Sequence, residues 1–170
     1  MTNPSLTIRP ERLDDAPLIE TITWSVFGPG MTARAAYVLR EGVDHEMPLS
    51  FVAELNGAII GTVRLTKVCI GDDIALMLGP LAVLTEHKSK GAGKLLMAEA
   101  VKASREHSRQ GGPKAIMLVG DEPYYGPFGF KRVPAGSIVL PRPADPNRIL
   151  VCALEEGVVL GGVASRFIDR

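Results

Sequence analysis

The apolar residues of this chain change period abruptly between Leu84 and Ala92. Before that point, Ile74 to Leu84 is a strand-like apolar run, interrupted only by Gly79 and Pro80. After it, Ala92, Leu96, Ala100 and Ala103 fall at helical spacing, leaving Lys94, Lys102, Arg105, Glu106 and Arg109 for solvent. A strand that feeds a long helix through a glycine-containing turn belongs to a mixed α/β architecture. Gly111-Gly112-Pro113 then stops the helix, and Lys114 to Val119 has the composition of a buried strand.

The flanking segments extend the pattern. Leu6 to Arg9 reads as a first strand. Asp14 and Asp15 open a helix that tolerates Pro17 in its first turn, carries Leu18, Ile19, Ile22 and Val26 as a stripe, and ends at Gly28-Pro29-Gly30. A weaker helix is predicted over Ala33 to Arg40. Ser50 to Leu55 and Ala58 to Val68 are strands joined by Asn56-Gly57, a strong hairpin signal. Past a short helical turn within 121–130 comes further strand, and then one more strand over Ile149 to Leu154. At 170 residues, with 46% hydrophobic and 22% charged side chains, the chain suits a single domain spanning 1–170.

Lys plus Arg and Asp plus Glu both number 19. This balance argues against a nucleic-acid partner, which usually requires a basic excess. The first ten residues lack a signal-peptide pattern and no run has the length of a membrane span, so a cytoplasmic protein without membrane attachment is expected. Cys69 and Cys152 stand alone, and His45, His87 and His107 have no metal-ligand spacing; no metal is expected.

The chemistry concentrates at Lys88-Ser89-Lys90-Gly91-Ala92-Gly93-Lys94. Backbone N–H groups at a helix start attract anions, and glycine allows a phosphate close to the chain. Taken by itself the loop is equally an ordinary strand-to-helix connection. It is not a Walker A loop, which needs glycine in place of Lys88 and Ser or Thr in place of Leu95. Nor is it a dinucleotide fingerprint, which needs glycine or alanine in place of Leu96.

What remains resembles motif A of the GNAT superfamily of acetyl-CoA-dependent N-acetyltransferases. Leu81 and Val83 match the strand end, and Gly91 and Gly93 the loop glycines. Lys88 stands where the family usually has Arg or Gln, and Ser89 where glycine is frequent. Downstream, Tyr125-Gly126-Pro127-Phe128-Gly129-Phe130 resembles the family's Tyr-to-Gly-Phe segment. Together these stretches look like one bacterial branch of predicted N-acetyltransferases, over most of the chain to about Leu154.

The resemblance implies a GNAT fold: a mixed central sheet flanked by helices, with parallel strands Ile74–Leu84 and Lys114–Val119 splayed to admit the pantetheine arm. Pro80 would then mark a bulge, although Gly79-Pro80 could also be a turn between two strands. Acetyl-CoA is the implied co-substrate, held along Leu81, Ala82 and Val83 and at the loop from Lys88 through Lys94. An amine attacks the thioester directly, a backbone N–H near Val83 stabilises the oxyanion, and Tyr125 is the implied general acid. The same tyrosine could instead pack beside Phe128 and Phe130, and Tyr124 reads as packing. Glu54, Asp72, Asp73, Asp121 and His45 all offer a base by residue type, and Asp121 could instead organise the turn before Pro123. Trp24, Phe27, Met31 and Tyr37 lie where the family covers its acceptor, or pack a core at helical spacing. The acceptor, a small molecule or protein amine, is left unspecified, a homodimer is left open, and a catalytically silent acyl-CoA sensor is the alternative.

Overall fold

The computed structural model describes residues 5–169. Nine strands and four α-helices follow the order β1 (Leu6–Pro10), α1 (Ala16–Phe27), α2 (Ala35–Arg40), β2 (Phe51–Leu55), β3 (Ala58–Ile70), β4 (Asp73–Val83), α3 (Ala92–Arg109), β5 (Ala115–Val119), α4 (Glu122–Tyr125), β6 (Lys131–Arg132), β7 (Ile138–Val139), β8 (Ile149–Ala153) and β9 (Gly162–Arg166). Neighbouring strands run β1-β2-β3-β4-β5-β8-β6, with β9 paired to the far end of β3 and β7 beside β9. Pairing is antiparallel except between β4 and β5 and between β7 and β9. This is the mixed sheet flanked by helices that the resemblance implies.

Local chemistry accounts for the elements. Asn56 and Gly57 both take left-handed φ, 51° and 85°, which matches a tight hairpin to the twist of β2 and β3. Strand alternation then divides the core between two faces. Leu76, Leu78, Ile116 and Leu118 point to one side, under Leu96, Met97, Ala100 and Val101 of α3. Ala75, Met77, Ala115 and Met117 point to the other, where Leu39 of α2 joins them. Helix α1 lies over β3 and β4. No helix among the described residues is long and apolar enough to cross a membrane.

The C-terminal part departs from the sequence reading, which expects a single strand there. Two further short strands, β7 and β9, are present. β9 draws its pairing from Val68 to Ile70, far upstream. Its own sequence, Gly-Val-Ala-Ser-Arg, is too short and too polar to announce a strand without that partner.

Candidate functional site

The parallel pairing of β4 with β5 covers only Leu76 opposite Ile116 and Met77 opposite Met117. Beyond Met77 the strands part. Across the other edge of β4, Val63 faces Leu81 while Leu65 faces Leu78, so β4 carries one more residue than β3 over that interval. The extra residue falls at Gly79-Pro80, inside one strand that runs through to Val83. Gly79-Pro80 is therefore a bulge and not a turn between strands. Proline has no N–H to offer a ladder, which favours the irregularity at this position. A cavity of about 330 Å³ fills the gap, walled by Leu78, Leu81, Leu118 and Val119 and reached by Tyr124 and Tyr125.

A second cavity, about 530 Å³, continues from this one past Phe27, Leu81 and both tyrosines to the start of α3. The chain enters the helix through a 3₁₀ turn, Thr85–Lys90, and a left-handed Gly91 with φ 83°. No side chain caps the helix, and the first-turn N–H groups have no partner within it. Lys88, Ser89, Gly91, Gly93 and Lys94 line this end. A β-carbon on Gly93 would stand 2.6 Å from the Tyr124 hydroxyl oxygen, so glycine is needed for that phenol to lie over the helix start. Ala82 and Ala92 are buried, and Lys90 is exposed but not part of the cavity wall. Those three can contribute only through backbone or long-range charge. Glycines, an uncapped helix start and flanking lysines form a cradle suited to a phosphate group.

Tyr125 is half-buried, its ring edge-on to Phe130 at 6.2 Å between centroids and packed against Gly120. Burial pushes its phenol up to about 12, with Tyr124 and Asp121 adding and Arg148 opposing. Tyr124 stands edge-on to Tyr125 at 4.8 Å, and burial raises its pKa also. Neither hydroxyl has a hydrogen-bond partner among the described residues. Tyr124, which the sequence reads as packing, also lines the same two cavities as Tyr125. Asp121 organises the turn: its carbonyl accepts the N–H groups of Tyr124 and Tyr125 at 3.1 Å each, while its carboxylate accepts from Arg148 Nε at 3.1 Å.

A third cavity, about 430 Å³, opens on the far side of Gly79-Pro80 and shares Met31, Arg40, Gly79 and Pro80 with the gap between β4 and β5. Trp24, Met31 and Tyr37 line it, and Phe27 lines the other two; none belongs to the buried core. His45 lines this third cavity. Its Nε2 lies 3.0 Å from Glu11 Oε1, and Arg64 donates to both oxygens of the same carboxylate, at 2.7 and 3.1 Å. Burial raises the Glu11 pKa, but the bonds from His45 and Arg64 outweigh it and hold the carboxyl below its ordinary value.

Of the other residues offered as bases, Glu54 is tied to Arg9 on the outer strands, and Asp72 and Asp73 sit at the turn between β3 and β4. Glu11, Arg64 and Arg40 escape the sequence reading, since they come from three separate segments and match no motif. A charged residue within the apolar run of β3 is the one local hint, and it concerns Arg64 alone. The described residues contain no cluster of three His, Cys, Asp or Glu side chains that could hold a metal ion.

Residues 48–132, half of the chain, match the family model described as an acetyltransferase (GNAT) domain. No curated protein matches the sequence significantly. Among solved structures, the chain is similar to the GNAT family N-acetyltransferase YhbS from Escherichia coli in complex with CoA, with 25% identity and a TM-score of 0.76, covering 98% of this chain and 93% of that one. It is similar also to a GNAT family acetyltransferase from Brucella melitensis in complex with acetyl-CoA, at 26% identity and a TM-score of 0.65, covering 96% of each chain. The ribosomal-protein-S18-alanine N-acetyltransferase from Escherichia coli, 15% identical with a TM-score of 0.60 over 91% of this chain and 99% of that one, shares the fold.

Proposed function

Because this chain belongs to the GNAT family of acetyltransferases, we propose that it transfers an acetyl group from acetyl-CoA to a primary amine, with Tyr125 as general acid and His45 as base. The observation that carries this reading is one continuous series of cavities. It leads from the glycine cradle at α3, through the gap between β4 and β5, to a third chamber beyond Pro80. A long ligand with phosphates at one end and a reactive group at the other suits the first two, leaving the third for an acceptor.

Acetyl-CoA supplies an acyl group already activated as a thioester. The backbone of Leu81, Ala82 and Val83, released from β5 by the splay, would hold the pantetheine arm. The loop from Lys88 through Ser89, Lys90, Gly91, Ala92 and Gly93 to Lys94 would hold the pyrophosphate. A lysine-like amine arrives protonated, since its ordinary pKa is about 10.4. His45 is suited to remove that proton: the Glu11 carboxylate keeps hydrogen on Nε2, which leaves Nδ1 as the lone-pair acceptor. Tyr125, raised to about 12, stays protonated at any physiological pH. A thiol ionises near 8.5, so this phenol is the weaker acid and steadies the departing sulfur chiefly through a hydrogen bond.

The test is acetyl-CoA-dependent thiol release with a broad panel of primary amines, beside calorimetry with CoA and ATP. Turnover with at least one amine and preference for CoA are expected. CoA binding without turnover would replace the enzyme with a silent acyl-CoA sensor, and preference for ATP would overturn the donor assignment.

A further inference from the structure

Arg40 ends α2, and its side chain lines both the acceptor chamber and the gap between β4 and β5. Its Nη1 lies 3.0 Å from where a β-carbon on Gly79 would sit, which places the guanidinium directly against the bulge. The group has no hydrogen bond or ion pair among the described residues. Three other arginines that are partly withdrawn from solvent or lie near the cleft have carboxylate partners: Arg9 has Asp15 and Glu54, Arg64 has Glu11, and Arg148 has Asp121. Glu20 and Glu41 also line the chamber, but both are exposed and neither comes within ion-pairing distance of Arg40. Glu11, the buried carboxylate of this region, is already held by Arg64 and His45. Burial lowers the Arg40 pKa to about 10, so the side chain is charged at neutral pH.

A half-buried cation without a partner is costly, and cost of this kind is relieved by an anion that arrives with a ligand. The planar guanidinium fork matches a carboxylate bidentately. Arg40 lines neither the glycine cradle nor the cavity that contains it, so the phosphates of the donor do not account for it. We propose that the acceptor is an amine that also carries a carboxylate, such as a free amino acid, and that Arg40 binds the carboxylate while the amine faces the thioester. This rests on the acetyltransferase reading above. It makes Arg40 a specificity-determining residue.

The experiment compares amino acids with their decarboxylated amines, in the wild-type protein and in Arg40→Met and Arg40→Lys. Wild type should favour the carboxylated partner by about 10⁴-fold in kcat/KM, the discrimination expected when a site built for a polar group is left unpaired. The ratio should collapse toward unity in Arg40→Met and be intermediate in Arg40→Lys. In parallel, calorimetry measures N-acetyl amino acid binding to the protein–CoA complex, with CoA affinity as the check that each variant is folded. That binding should weaken strongly in Arg40→Met. Equal handling of the two amine classes by wild type, or a preference that survives Arg40→Met, would overturn the proposal. So would an Arg40 effect confined to succinyl-CoA over acetyl-CoA, which would put the anion on the donor. Loss of N-acetyl amino acid binding in Arg40→Met without any turnover would uphold the anion site and reject the acetyltransferase reading.

Discussion

Two glycines separated by a single alanine do different physical work at the start of α3. Gly91 takes a left-handed φ with open space around it, so Gly91→Ala meets no clash but places a side chain in an unfavourable conformation. A loss of about 1 kcal/mol of stability is expected, read as a lower midpoint in urea. Gly93 has an ordinary φ but no room: a methyl group there collides with the Tyr124 hydroxyl. Gly93→Ala should leave the urea midpoint nearly unchanged and weaken CoA binding, because Tyr124 must leave its place over the helix start. Calorimetry separates the two cases, and equal CoA affinity in Gly93→Ala and wild type would contradict the cradle. Tyr125 is tested by Tyr125→Phe, which keeps the packing on Phe130 and removes only the hydroxyl. A fall in kcat of about 100-fold is expected, the lower range of acid catalysis. With the phenol near 12, the wild-type rate should show no alkaline loss from this group below pH 10. An unchanged kcat across pH would end its catalytic role.

The end of β1, the segment around His45 and the middle of β3 are held together by one carboxylate. Glu11 accepts from Arg64 and is bonded to His45 in a place its side chain shares with almost no water. Removing it leaves Arg64 half-buried without a partner, so Glu11→Leu should lose about 3 kcal/mol, measured by urea unfolding at pH 7. Glu11 has a folded-state pKa below its unfolded value. Its ionic contribution is therefore complete above the unfolded value, near 4.3, and is lost as pH falls through the lower folded value. Asp15, held low by the bonds from Arg9, adds a loss of the same sign. The stability gap between wild type and Glu11→Gln should accordingly narrow as the buffer goes from pH 7 to pH 3. A constant gap would mean that the carboxylate charge contributes nothing.

At the level of the whole molecule, the cleft is walled by segments from distant parts of the chain: α1 and α2 on one wall, α3 and α4 on another, β4 and β5 beneath. A ligand that spans them should stabilise all together. CoA at about 100 times its Kd is expected to add about 2.7 kcal/mol, seen as a rise in Tm that grows with CoA concentration and shrinks with added salt. No rise would show that the cavities are not one binding cleft.

Much of this arrangement was legible in the residues themselves. Strand and helix periods, the Asn56-Gly57 turn, Pro80 as an irregular point and the glycine loop are all local, set by steric and hydrogen-bonding preferences within a few residues. They were enough to indicate the strands, the hairpin and the helix start, while the arrangement of the sheet and the donor end of the cleft were implied by the resemblance to the GNAT family. β9, the Glu11–His45–Arg64 network and the unpaired Arg40 were not legible. Each depends on segments brought together from distant parts of the chain, and no local preference specifies which charge will meet which. Tyr124, legible only as packing, acquired its place over Gly93 in the same way. The glycine loop from Lys88 to Gly93 is thus set by local sequence, whereas the chamber beyond Pro80 is shaped by tertiary contacts that leave Arg40 without a partner among the described residues.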